Sequence, residues 1–168
     1  MSSGPTIRVA RPDEYTAIGQ LTALAYADVL ANGDDDEYRS VLLDAAGRAA
    51  AAELLVAVSG DNAPLGTVTV GRPGTPLAEI AHDQEVEVRM LAVAPGFERK
   101  GIGRSLMRHV HNVASAEGFA GLVLSVISTN TAAGEFYLSL GYRRSPERDW
   151  HPVPDTDLLL EVFVYSIR

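Results

Sequence analysis

Apolar residues recur along this 168-residue chain in two rhythms, a helical one and an extended one, and the alternation between them predicts the elements. Thr6–Ala10 reads as a short strand. Pro12, Asp13 and Glu14 suit the first turn of a helix, where proline is tolerated and acids favour the dipole. Ile18, Leu21, Ala25 and Val29 then follow at helical spacing, and Asn32-Gly33 predicts the stop. Asp34, Asp35, Asp36 and Glu37 open a second predicted helix by capping and dipole compensation. It carries Tyr38, Val41, Leu42 and Ala45 on one face and runs on through Ala49–Ala52. Leu54–Ser59 and Leu65–Gly71 are β-type runs on either side of a Gly60 to Pro64 turn, which is a hairpin pattern. Arg72–Asp83, with two prolines and a glycine, reads as a loop.

The densest signal is Val86–Leu106. Val86, Val88, Met90, Leu91 and Val93 make a central strand, Glu85–Ala94, which Pro95-Gly96 ends. Leu106, Val110, Val113 and Ala114 then mark a helix that closes near Gly118. Leu122–Ile127 is apolar throughout, as a strand covered on both faces would be. Strand, helix, strand in this order predicts a right-handed parallel crossover. Asn130 caps a short helix, Thr131–Leu140, closed by Gly141, and Leu158–Ile167 reads as a last strand. Arg143–Asp157 is Pro-rich and irregular, with the lone Trp150 and His151. The elements predict one α/β domain over residues 1–168, without repeat or linker.

Between the central strand and its helix lie Arg99, Lys100, Gly101 and Gly103. Glycines let backbone approach a ligand closely, and a helix start presents unpaired N–H groups to an anion. With two cations beside them, these residues read as a phosphate or pyrophosphate cradle; a surface turn with chance cations is the plain alternative. A dinucleotide fingerprint fails because Leu106 stands where a third glycine is needed, and a P-loop fails for want of Gly-Lys-Ser/Thr. Net charge sharpens the picture. The chain carries −8, yet Arg99, Lys100, Arg104 and Arg108 make a local cationic island. That suits a small polyanion and argues against nucleic acid as a partner. Arg104 and Arg108 also fit a solvated helix face. There is no cysteine, so disulfides, thiolate metal sites and a cysteine nucleophile are excluded. No signal peptide or membrane-spanning run is evident, and a cytoplasmic location away from membranes is expected. The histidines show no metalloprotease spacing, and no metal is expected. No Gly-x-Ser-x-Gly elbow occurs.

The second informative stretch is Asn130, Ala133, Phe136, Tyr137, Leu140, Gly141 and Tyr142. With the Arg-Lys-Gly-Ile-Gly-Arg loop after a strand and proline, it resembles the GCN5-related N-acetyltransferase (GNAT) family. The likeness is strong over residues 86–142, weaker over 6–71 and uninformative over 143–157. It implies a mixed central sheet with flanking helices, splayed between its fourth and fifth strands, with coenzyme A in the gap. By the match, backbone groups of Leu91, Ala92 and Val93 would pair with the pantetheine arm. Gly101, Ile102, Gly103, Arg104 and Ser105 would hold the pyrophosphate with Arg99 and Lys100. Asn130 and Ala133 would lie near the arm, and Tyr137 near its sulfur.

The implied activity is transfer of an acetyl group from acetyl-CoA to a primary amine of a small molecule or peptide. The amine must shed its proton, the thioester oxygen must be stabilised, and the thiolate profits from a proton donor. Tyr137 is the candidate acid, with packing as its alternative. Glu87 is the candidate base, where several family members carry glutamate. Glu85 is the reserve choice by strand alternation, and an ion pair with Arg89 is the plain reading. The acid run at 34–37 is also read, less favourably than as a cap, as drawing in a cationic acceptor. Trp150 and His151 are weighed as a border of the acceptor pocket, with packing or surface roles favoured. A non-catalytic acyl-CoA-binding domain and an interaction module that binds no cofactor are the competing functions. A homodimer is allowed by the resemblance alone.

Overall fold

The computed structural model describes residues 4–30 and 36–167, organised around a seven-stranded mixed sheet. The strands are β1 (Thr6–Val9), β2 (Glu53–Val58), β3 (Pro64–Gly71), β4 (Glu85–Val93), β5 (Gly121–Ile127), β6 (Arg143–Arg144) and β7 (Leu160–Ser166). They lie in the order β1-β2-β3-β4-β5-β7-β6. β4 and β5 are the parallel neighbours, and the other pairs are antiparallel. The parallel pair is joined through a helix, α5 (Ile102–Ala116), because parallel strands need a crossover.

Strand alternation sends two sets of side chains to two different covers. Val68, Val70, Val86, Val88, Leu122 and Leu124 meet Leu106, Met107 and Val110 of α5 in the main core. Leu106 and Val110 are fully buried, each worth about 1.5–3 kcal/mol of apolar transfer. On the opposite face Leu54, Val56 and Val58 meet Ile18 of α1 (Tyr15–Ala25) and Ala45 of α4 (Ala45–Ala51). Farther along that face, Val123, Val162 and Val164 pack on Ile80, Ala81 and Trp150. The 72–84 loop and the segment after β6 therefore cover what the helices do not.

The two N-terminal helices differ from the periodicity reading. The first breaks at Tyr26, leaving α1 and a short α2 (Ala27–Leu30). A 3₁₀ turn, Pro12–Glu14, precedes α1, and Ala25 is exposed, so the buried face of α1 runs through Ile18, Leu21 and Thr22. The second predicted helix is two, α3 (Asp36–Leu43) and α4, divided at Asp44. Asp44 is a better cap than helix interior: its carboxylate accepts the Gly47 N–H at 2.9 Å. Buried Arg48 reaches back to the carbonyls of Val41 and Leu42 at 2.8 and 3.0 Å, satisfying groups that α3 leaves open at its end. The predicted stop at Asn32-Gly33, and Asp34 and Asp35, lie outside the described residues. α6 (Thr131–Ser139) is capped by Asn130, whose side chain accepts the Ala133 N–H. The segment read as irregular holds β6 and a 3₁₀ turn, Pro146–Arg148.

Candidate functional site

β4 and β5 pair over a short length. Their register runs Glu85–Gly121, Val86–Leu122 and Glu87–Val123, and pairing stops there. Val88–Val93 and Leu124–Ile127 continue without each other, so the sheet opens into a V with one bare strand edge on each arm. A bulge marks the β4 arm. Thr67 opposes Ala92 and Thr69 opposes Arg89, so Val68 faces both Met90 and Leu91, and Met90 takes a left-handed φ of 51°. The bulge reverses side-chain parity. Val86 and Val88 face α5 before it, and Leu91 and Val93 join the same core after it.

Backbone parity follows from one bond. The Ala94 N–H donates to the Leu65 carbonyl at 2.8 Å, so by antiparallel alternation Ala92 also turns its N–H and C=O to β3. Leu91 and Val93 turn theirs away from β3, toward the opening. The Leu91 carbonyl accepts from the Tyr26 hydroxyl at 3.0 Å.

α5 starts at the mouth of the V. Gly96, Arg99 and Gly101 all have positive φ, 91°, 60° and 82°, which curl the connection tightly back onto the helix. Gly101 is the N-cap and supplies no side-chain hydrogen bond; a Cβ there would meet nothing within 4 Å. The helical ladder begins with the Ser105 N–H on the Gly101 carbonyl at 2.9 Å, leaving the N–H groups of the preceding turn uncapped by any side chain. Among the described residues none of Arg99, Lys100, Arg104 and Arg108 has a carboxylate partner within ion-pair distance. Lys100 lies 5.3 Å from the centroid of the exposed Phe97 ring. Uncapped N–H groups, open space and cations without a carboxylate partner meet at this corner, an arrangement that suits an anion. Gly66 seats it: a Cβ on Gly66 would come within 2.9 Å of Ile102 Cγ2 and 3.0 Å of the Ala92 carbonyl. Opposite, a Cβ on Gly103 would lie 3.4 Å from Phe136 and 3.7 Å from Val93, so the helix start touches both α6 and the β4 arm.

Tyr137, from α6, is 8% exposed and packs edge-on against Phe136 and Tyr142 at centroid distances of 5.2 and 5.6 Å. Burial pushes its phenol well above the ordinary value, so it stays protonated at neutral pH. Tyr142 in turn lies 2.9 Å from the His111 ring nitrogen Nε2.

Glu87 sits where the strands part and is 4% exposed. Its Oε1 accepts the N–H groups of Ile80 and Ala81 at 2.7 and 3.0 Å, and Oε2 lies 3.4 Å from Arg89. Burial raises its carboxyl above the usual range, against the pull of those amides and of Arg89. Glu85, on the same side, pairs with Arg148 at 2.8 Å and accepts the His82 N–H. Arg148 also donates to the Ile80 carbonyl at 2.7 Å. Two carboxylates and a guanidinium thus tie residues 80–82 to the sheet. Trp150 joins this side, its indole N–H donating to Ser125 Oγ at 3.0 Å, and His151 is exposed.

Sequence reasoning missed Tyr26, Gly66 and the Met90 bulge. A glycine inside an apolar strand run is a known sign of close approach, so Gly66 was open to detection. Tyr26 gave no local signal, because its partner is 65 positions away. Two surface cavities, of about 440 and 410 Å³, lie elsewhere, one between the end of α4 and Arg72 and one around His82 and Arg148. The V is instead an open cleft whose chemistry lies in bare backbone groups. Among the described residues there is no cluster of His, Asp or Glu that could hold a metal ion, and no helix long and apolar enough to cross a membrane.

The Acetyltransferase (GNAT) family profile matches residues 17–142. The streptothricin acetyltransferase of Streptomyces lavendulae is 30% identical over 157 residues, covering 80% of this chain and 79% of that protein. The ribosomal protein bS18-alanine N-acetyltransferase of Escherichia coli K12 is 36% identical over 66 residues, covering 39% of this chain and 45% of that protein. The chain therefore spans less than half the length of this and of another curated relative it matches. Among solved structures, a GNAT-family acetyltransferase from Staphylococcus aureus Mu50 superposes with a TM-score of 0.74 at 14% identity, over 97% of this chain and 99% of that one. That likeness bears on the fold.

Proposed function

Because this chain belongs to the acetyltransferase (GNAT) family, we propose that it transfers an acetyl group from acetyl-CoA to a primary amine of a small molecule or peptide, by direct attack in a ternary complex. The observation that carries this reading is one conjunction. The parallel strands separate after Glu87 and Val123, and the uncapped N-terminus of α5 lies at the mouth of the opening beside unpaired cations. An extended arm with a polyanionic end matches both parts.

Acetyl-CoA supplies the activated acyl group and a sulfur leaving group. The N–H groups of Gly101, Ile102, Gly103 and Arg104, the Ser105 hydroxyl, and the Arg99 and Lys100 side chains hold the pyrophosphate. Val93 offers its N–H and carbonyl, and Leu91 its N–H, to the arm as an added strand would, while Ala92 keeps them aligned through its pairing with Thr67. Asn130 and Ala133 border the arm from the start of α6. Tyr137, protonated by burial, donates to the departing sulfur. Glu87, largely buried, accepts the amine proton through water. Residues 1–168 act as one domain in the cytoplasm, and a homodimer is the assembly to test. Exposed Asp36 and Glu37 at the start of α3 favour a cationic acceptor.

A second reading, acyl-CoA binding without turnover, draws on the Ile80 and Ala81 N–H groups that already occupy Glu87. Calorimetry with acetyl-CoA and an amine screen read by CoA release separate the two. Binding with turnover supports the transferase, binding alone supports the sensor, and no binding defeats both. Gly103→Asp should abolish binding by placing a carboxylate at the helix start, whereas Gly103→Asn, of the same shape, should retain a measurable part. Equal loss in both would move the pyrophosphate away from this corner.

A further inference from the structure

Tyr26 belongs to no motif, yet it makes a long-range contact into the opened strand. It stands at the kink between α1 and α2, with its own N–H on the Thr22 carbonyl at 3.1 Å. Its hydroxyl lies 3.0 Å from the Leu91 carbonyl. A carbonyl only accepts, so the phenol donates. Burial, with Tyr137 and Tyr38 nearby, keeps that phenol protonated far beyond neutral pH.

The carbonyl that it engages is a particular one. It belongs to the bulge at Met90–Leu91 and projects from the edge that β5 leaves bare. Within the same peptide plane, the Ala92 N–H is turned to β3. The plane is therefore held at both ends, by Tyr26 on the oxygen and by β3 on the N–H. Without the Tyr26 hydroxyl the Leu91 carbonyl, whose direction β3 sets through the Ala92 N–H, would face the opening with its negative dipole end uncovered. A thioester oxygen gaining charge in that space would be repelled by it, whereas the N–H groups of Leu91 and Val93 would attract it.

We propose that Tyr26 is a positioning residue of the transfer: its hydroxyl holds and covers the Leu91 carbonyl at the bare edge, so that the bulged end of β4 meets the acyl oxygen with N–H donors. The proposal rests on the transferase reading. Its role is exerted through the strand, by way of the Leu91 carbonyl.

The test is Tyr26→Phe, which keeps the ring and removes only the donor. With the full chain and a turned-over amine, kcat is expected to fall about tenfold, the scale of one buried hydrogen bond. The Kd for coenzyme A by calorimetry should stay within about twofold, and thermal unfolding should remain cooperative. The kcat defect should not vary between about pH 6 and 9, because the phenol does not titrate there. An unchanged kcat overturns the proposal. So does a Kd that rises in step with the fall in kcat, which would make Tyr26 a general support of the binding site. Loss of cooperative unfolding overturns it too, by making the hydroxyl a folding determinant. A parent protein that binds acetyl-CoA but turns over no amine defeats the transferase reading instead, before the variant is measured.

Discussion

Tyr137 and Glu87 came from the same sequence argument, and their surroundings pull them in opposite directions. Tyr137 is held by rings, and among the described residues no hydrogen bond engages its hydroxyl, which leaves that group free to donate. Tyr137→Phe should therefore spare folding and cofactor affinity while lowering turnover by about 10²–10⁴-fold, the span of a general acid. An unchanged kcat with chemistry rate-limiting would reduce the residue to packing. Glu87 is already occupied, with two backbone donors on one oxygen and Arg89 near the other. Gln keeps an oxygen for Ile80 and Ala81; Ala does not. If Glu87 is the base, Glu87→Gln should slow the reaction most near neutral pH, and the defect should shrink toward the pKa of the amine. If it serves the loop, Gln should match the parent in rate at every pH and Glu87→Ala alone should lower the Tm. Rate profiles and melts on the two variants divide the cases.

At the scale of elements, the site depends on where α5 begins. Gly66 lets Ile102 and Leu106 press onto β3. A methyl at Gly66 would meet the Ala92 carbonyl at 3.0 Å, a backbone atom that cannot swing aside, so the helix start must shift. Gly66→Ala should weaken acetyl-CoA binding by about tenfold or more and lower the Tm together, and calorimetry beside a melt checks it. Tight parental binding would mean that the cradle tolerates displacement. The first helical turn carries a pH-dependent support. Glu14 accepts both guanidinium nitrogens of Arg8 at 2.8 Å and the Arg11 N–H, and the Arg8 contact leads in pulling its carboxyl down to about 2. An unfolded glutamate titrates near 4.3, so this support is complete above about pH 5 and is lost as pH falls through about 4 to 2. The Tm of the parent minus that of Glu14→Gln should shrink across that window and stay level above it. A constant difference would make the pair electrostatically silent.

Across the whole molecule, charge is divided rather than spread. The chain carries −8, while Arg99, Lys100, Arg104 and Arg108 stand together on the side of α5. Asp36 and Glu37 are exposed at the start of α3, on the other face of the sheet. An anionic cofactor and a cationic acceptor would then approach from different sides. Exposed charges are screened over about 10 Å at 0.1 M salt. With acetyl-CoA saturating, kcat/KM for the acceptor should fall as ionic strength rises from low to physiological. A flat salt profile would remove the reason for preferring a cationic amine.

Local physics was enough for much of this. Periodicity placed the hairpin, the central strand, the crossover helix and the capped α6, because each is dictated by side chains within a few positions of one another. The glycines and cations of the loop after β4 suggested an anion without any tertiary knowledge, since an uncapped helix start favours negative charge by local geometry alone. Contacts distant in sequence were out of reach. Asp44 could cap a new helix or sit inside an old one, and the burial of Ala45 and Arg48 against α1 and α3 decided the matter. Strict alternation from Val86 and Val88 leads to Met90, but the bulge opposite Val68 gives that place to Leu91 and Val93. Glu87 read as a candidate base or an ion-pair partner of Arg89, and only the folded 72–84 loop brought the Ile80 and Ala81 N–H groups onto it. Tyr26 acquired its partner only when a helix corner met a strand edge 65 positions away. In each case the sequence determined which groups were present, and the competition among partners brought together by folding decided which of them remained available.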